Sequence, residues 1–150
     1  MQTRRDALKT ALAAGVLGAG ALASTPALAF NKTAFEAKTV QEAIKALGGT
    51  SLAESKDVTL QGPDIAENGA VVPLGAATTL AGIKQVALLV EKNPNVLVAV
   101  FNLNDGLDPN FATRAKMGQS SDVYAVAIAQ DGKAYFAKKE IKVTLGGCGG

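Results

Sequence analysis

The chain has no histidine and only one cysteine, and each scarcity removes a class of chemistry. Without histidine, neither a Ser-His-Asp triad nor a Cys-His pair can be assembled, so a hydroxyl or thiol nucleophile has no imidazole base. A single cysteine excludes an internal disulfide and the Cys-x-x-Cys motif of a thioredoxin-like redox cycle. The two together leave no evident metal-ligand cluster, and no cofactor is expected. No phosphate-cradling glycine loop precedes a helix. The acidic residues are scattered, and Asp105 and Asp108 read as loop caps, not as a catalytic pair.

What is present begins at the N-terminus. Residues 1–29 have the form of an export signal. A charged start, Met1-Gln2-Thr3-Arg4-Arg5, leads into an Ala- and Gly-rich apolar stretch that runs to Ala23. Ala27-Leu28-Ala29 is the small-x-small pattern of a cleavage site, which leaves Phe30 as the new terminus. Paired arginines followed by Leu8 and Lys9 look like a twin-arginine signal, with Ala7 as the departure from the usual pattern. An ordinary secretory signal and a single membrane anchor are the alternatives, although the apolar stretch makes a weak span. The twin-arginine route carries folded proteins. With no metal site to fill before export, a partner bound in the cytoplasm is the reason the sequence offers for that route.

Removing the signal takes three basic and one acidic residue from totals of 15 and 13, so the mature chain holds twelve of each. Zero net charge argues against a nucleic-acid partner or an anionic membrane surface. A near-neutral, apolar-rich surface fits one that another protein partly covers.

The mature length suits one domain with a real core. Thr39-Val40-Gln41-Glu42 fits a capping box, and Val40, Ala43, Ile44 and Leu47 follow at helical spacing before Gly48-Gly49. One short helix over about residues 39–47 is expected. Strands are expected at Asp57–Gln61, Ala70–Leu74, Ile83–Glu91, Val96–Leu103, Phe111–Met117, Asp122–Ala129 and Lys133–Leu145, divided by turn residues. Asp131-Gly132 between two apolar runs signals a hairpin. Seven short strands at this spacing predict an all-β fold, an immunoglobulin-like antiparallel β-sandwich over residues 30–145; a small barrel is the competing architecture.

Residues 146–150 form a third region, Gly146-Gly147-Cys148-Gly149-Gly150. Four glycines around the one thiol leave no side chains to pack, so the composition predicts a mobile, exposed arm. Cys148 lies three residues past Leu145 and can reach roughly 10 Å beyond it. An exposed thiol with no partner has a pKa near ~8.5 and is about 3% thiolate at neutral pH. Lys138, Lys139 and Lys142 could lower that value slightly, but they read better as a solvated strand face. Cys148 alone is a slow nucleophile, and its activation has to come from a protein that receives the arm. Exported proteins tend to avoid an unpaired exposed cysteine, which favours a functional thiol over an accidental tail.

The ending Val143-Thr144-Leu145-Gly146-Gly147-Cys148-Gly149-Gly150 resembles that of the SoxY family, the sulfur-carrier subunits of the periplasmic thiosulfate-oxidising Sox system. Ile65-Ala66-Glu67-Asn68-Gly69 with Val72-Pro73 is similar to an internal segment of the family. Asn93-Pro94, Phe101-Asn102, and Thr113-Arg114 with Lys116 fall in similar places. The resemblance implies a sandwich paired with a SoxZ-like subunit and Cys148 as the covalent attachment point on a glycine arm. It implies three visiting enzymes: a haem-containing SoxAX-like enzyme that loads thiosulfate as Cys–S–S–SO3⁻, a SoxB-like hydrolase that releases sulfate, and, where present, a SoxCD-like sulfane dehydrogenase. On this reading the protein is a carrier and not an enzyme, held in the periplasm. Glu67-Asn68-Gly69 itself reads as a turn in which Asn-Gly permits positive φ, or as a contact with the partner or an enzyme.

Three other readings compete. A ubiquitin-like carrier would load sulfur at the Gly150 carboxylate, but it needs ATP and gives Cys148 no role. An exported structural module could use Cys148 for a permanent intermolecular disulfide. An autonomous enzyme lacks the groups it would need.

Overall fold

The computed structural model of the chain describes residues 30–145. The export signal read at residues 1–29, and the arm residues Gly146, Gly147, Cys148, Gly149 and Gly150, lie outside the described residues.

Two short helices, α1 (Lys32–Glu36) and α2 (Val40–Ala46), precede nine strands. These are β1 (Ser51–Glu54), β2 (Val58–Gln61), β3 (Ile65–Ala66), β4 (Val72–Thr78), β5 (Ile83–Val90), β6 (Leu97–Asn102), β7 (Asn110–Ala115), β8 (Ser121–Ala129) and β9 (Lys133–Val143). The larger sheet has the order β1-β9-β8-β5-β6, with β3 also paired to β9; the smaller is β2-β4-β7. The fold is the expected β-sandwich, with three differences from the sequence reading. There are two helices where one was expected, because five-residue α1 is too short to show a period. It is held by its cap, Asn31, whose Oδ1 accepts the Ala34 N–H at 3.1 Å. Strands β1 and β3 were not foreseen. Both pair with β9 in parallel, so the larger sheet is mixed, not wholly antiparallel.

Local chemistry accounts for the elements that were foreseen. In α2 the Thr39 hydroxyl accepts the Glu42 N–H and the Glu42 carboxylate accepts the Thr39 N–H, both at 3.2 Å, which completes the capping box. Gly48, at φ 91°, ends the helix. The Gly49 N–H donates to Ile44 O and the Gly48 N–H to Lys45 O, the paired bonds of a Schellman stop. At the β8–β9 hairpin, Gly132 takes φ 89° and the Asp131 carboxylate accepts the Lys133 N–H.

The long apolar runs of β5 and β8 are explained by burial on both faces. On one face, Val86, Leu88, Val90, Val123, Ala125 and Ala127 meet Val72, Leu74 and Ala76 of the smaller sheet. On the other, Ala87, Leu89, Val126 and Ile128 pack against Ala34, Ala43, Ile44 and Leu47 of the helical segment. The layers are therefore helices, large sheet and small sheet, and α2 packs on its own domain. Among the described residues no helix is long and apolar enough to cross a membrane.

Candidate functional site

The described residues end at Leu145, just before the glycine-cysteine segment singled out in the sequence, and β9 leads there. Pairing of β9 with β8 runs from Ile128↔Ala134 to Ser121↔Ile141. Beyond Ile141 a different set of partners takes over. The Lys142 N–H donates to Asp64 O at 3.0 Å, the Thr144 N–H to Ala66 O at 3.1 Å, and the Gly69 N–H to Leu145 O at 2.8 Å. The Thr144 hydroxyl donates to Glu67 O at 3.2 Å. On the opposite side the Val143 N–H donates to the Ser120 hydroxyl at 2.9 Å. Backbone and side-chain bonds thus continue to the last residue before Gly146.

The segment that holds this root is itself held. The Met117 N–H donates to Gly69 O at 2.7 Å, and the Asn68 carboxamide oxygen accepts the Ala70 N–H at 2.9 Å. Ala66 is buried among the inter-sheet side chains. Lys139 donates to Gly62 O and pairs with Asp64 at 2.6 Å. That hydrogen bond, reinforced by the ammonium charge, holds the Asp64 carboxyl below the usual carboxylate range. The expectation for Glu67-Asn68-Gly69 is half corrected. The turn is present, with the Val71 N–H reaching Asn68 O, but neither Asn68 nor Gly69 takes positive φ. Gly69 instead uses both backbone groups, one on Leu145 and one on Met117.

Three large apolar side chains on these segments are exposed: Ile65, Val71 and Leu145, at 57, 55 and 65%. Two of the three upstream lysines are engaged. Lys138 pairs with Asp122 at 3.3 Å and lies over the Tyr124 ring, and the hydrogen bond to Asp122 raises its pKa. Lys139 is committed to Asp64, whereas Lys142 is exposed.

The other residues singled out in the sequence have structural places. Asn93 donates through its carboxamide to Lys116 O at 2.7 Å, and Pro94 O accepts from Lys38. Asn102 accepts from Gln85 at 2.8 Å, and Phe101 stacks on Phe111 with centroids 4.4 Å apart. Pro73 pairs with Arg114 of β7, past the point where β2 pairing ends at Gln61↔Gly75, so its missing N–H interrupts no ladder. Asp105 and Asp108 lie in the exposed β6–β7 loop, where the Asn110 N–H donates to Asp108 O. Among the described residues, no group of three or more His, Cys, Asp or Glu could hold a metal ion.

Comparison with known proteins places this geometry. The family described as sulfur oxidation protein SoxY matches residues 44–148. The solved structure of the sulfur carrier protein SoxY from Chlorobium limicola f thiosulfatophilum is similar at 32% identity and a TM-score of 0.64; the match covers 71% of this chain and 97% of that one. A superoxide reductase (neelaredoxin) from Ignicoccus hospitalis shares the fold alone, at 18% identity and TM-score 0.51 over 57% of this chain and 79% of its own. A putative superoxide reductase from Thermotoga maritima does likewise, at 12% identity and TM-score 0.52 over 61% of this chain and 92% of its own. No curated protein sequence matches. With a family match across more than two thirds of its length, ending on its single cysteine, the chain belongs to the SoxY family of sulfur oxidation proteins.

Proposed function

We propose that this protein is the covalent sulfur carrier of a thiosulfate-oxidising Sox system, with Cys148 as the attachment point and Gly146, Gly147, Gly149 and Gly150 as the arm. The observation that carries the reading is the extent of the family match, which reaches residue 148 and so includes the only thiol. The anchored root supports it. A strand fastened up to Leu145 presents a short glycine segment at a defined place on the domain. The absence of histidine supports a carrier over an enzyme, because the chain has no imidazole to activate its own thiol.

Loading joins Cys148–SH and thiosulfate into Cys148–S–S–SO3⁻, releasing one proton and two electrons. The electrons pass to a haem-containing SoxAX-like enzyme. A SoxB-like hydrolase adds water across the terminal S–S bond, which frees sulfate and a proton and leaves Cys148–S–SH. Where present, a SoxCD-like dehydrogenase oxidises that remaining sulfur. A SoxZ-like subunit is the stable partner, and the near-neutral mature surface fits such cover. The work takes place in the periplasm, after export of the folded protein through the signal at residues 1–29.

Intact mass spectrometry of the mature chain from thiosulfate-grown cells tests the proposal. A sulfur or sulfonate adduct removed by reductant, and absent in Cys148→Ser, is the expected result. An unmodified mass, or a stable Cys148-linked homodimer alone, refutes it in favour of a structural module.

A further inference from the structure

We infer that Asp64–Gly69 is a clamp that sets the length of the carrier arm by fastening its root at Leu145. The inference rests on the carrier reading for its purpose and on the described backbone for its geometry. Pairing with β8 ends at Ile141, so with the clamp released and Val143 lifted from the core the free chain would begin there. Residues 142–145 are instead held by Asp64 O, Ala66 O, Glu67 O and the Gly69 N–H on one side and by the Ser120 hydroxyl on the other. Val143 is partly buried against the inter-sheet core, whereas Lys142, Thr144 and Leu145 are exposed, so beyond Val143 the order of the chain comes from these bonds and not from burial.

The difference in reach is large. From Leu145, Cys148 extends at most about 10 Å; from Ile141 it would extend about 24 Å, at ~3.4 Å per residue. A longer tether dilutes its own end. Effective concentration falls roughly as the −3/2 power of length, so going from three residues to seven lowers it about three- to fourfold. The clamp thus keeps the thiol close to one spot on the domain and obliges any enzyme that takes the thiol to meet the surface around Ile65, Val71 and Leu145. Gly69 and Thr144 act as positioning residues, through their hydrogen bonds at the arm root.

Hydrogen exchange on the unaltered mature chain gives the first test. The amides of Lys142, Thr144 and Gly69 are expected to be protected, and exchange at unstructured-peptide rates would overturn the clamp. A second test measures reach with nitroxides on Cys148 and on Glu54→Cys, an exposed β1 position. Combining Thr144→Pro, Ser120→Ala and Gly69→Pro removes the Ala66, Glu67, Ser120 and Leu145 bonds and leaves only that of the Lys142 N–H to Asp64 O. The inter-label distribution should then broaden from a spread set by a 10 Å arm toward one set by about 24 Å, with the thermal midpoint of the domain retained. An unchanged spread overturns the clamp. The two readings fail separately. Broadening without any sulfur adduct on Cys148 leaves the clamp standing and removes the carrier, and an adduct without broadening does the reverse.

Discussion

Deleting Gly146 and Gly147 tests whether the arm works by reach. Leu145 is tied to Gly69 at 2.8 Å, so the deletion cannot be made good by drawing out more strand unless the root is broken. Cys148 would then follow Leu145 directly, and its reach would fall from about 10 Å to about 3.5 Å. A shortfall of some 7 Å is far beyond what a reacting pair tolerates, since a misplacement of about 1 Å can cost 10²-fold. The assay compares two rates on the same sample. Turnover with the partner enzymes should fall by at least 10²-fold. Reaction with a small disulfide reagent, which needs no enzyme to receive the thiol, should stay within about twofold. Equal turnover in the deleted and intact proteins would refute the reasoning and mean that enzymes accept Cys148 at the domain surface. A parallel loss of both rates would point to a damaged thiol environment, and the reach argument would fall with it.

Leu88→Ala, at a fully buried site between the sheets, should destabilise the domain by about 2–5 kcal/mol and lower Tm by roughly 8–25 °C, whereas Leu145→Ala, at an exposed one, should stay within about 0.5 kcal/mol; thermal unfolding of both variants checks this. Asp64 gives a pH dependence of defined sign. Its folded-state pKa is depressed by Lys139, so its contribution is complete above the ordinary carboxylate range and disappears as pH falls through the lowered value. In Asp64→Asn that acid-side loss should vanish from the pH profile of Lys142 and Thr144 amide exchange after correction for intrinsic rates, while an unchanged profile would mean the pair does not steady the arm root.

Much of the fold was legible because it is written in short-range chemistry. Thr39 and Glu42 announce a helix start, Gly48 its end, and Asp131-Gly132 a hairpin, each within a few residues. The double-sided strands β5 and β8 declare themselves as unbroken apolar runs. What escaped has its partner far along the chain. Strand β3 is two residues long and pairs with Lys142 and Val143, more than seventy residues away, and no local periodicity can reveal it. Strand β1 is mostly exposed and takes its order from the edge of β9, so Ser51-Leu52-Ala53-Glu54 lacks the alternation of a half-buried strand. The Asn68-Gly69 turn was readable, but its use was not. Glycine there suggested positive φ, whereas the folded chain uses its amide and carbonyl on two other segments.

The thiol proposed as the attachment point is readable from composition alone and the root is not, for a physical reason. A lone cysteine among glycines can be recognised without any fold, because its chemistry depends on what it lacks: side chains around it, a base beside it, a second thiol to pair with. The place from which it swings depends on pairing between two distant segments. A carrier needs both parts. An arm free from Ile141 would visit more space and present its cargo less often at any one point, while an arm fastened at Leu145 gives up distance for local concentration. On the proposed carrier reading, a thiol with a reach of about 10 Å would bring its enzyme down onto the surface near Leu145, where Ile65 and Val71 are also exposed.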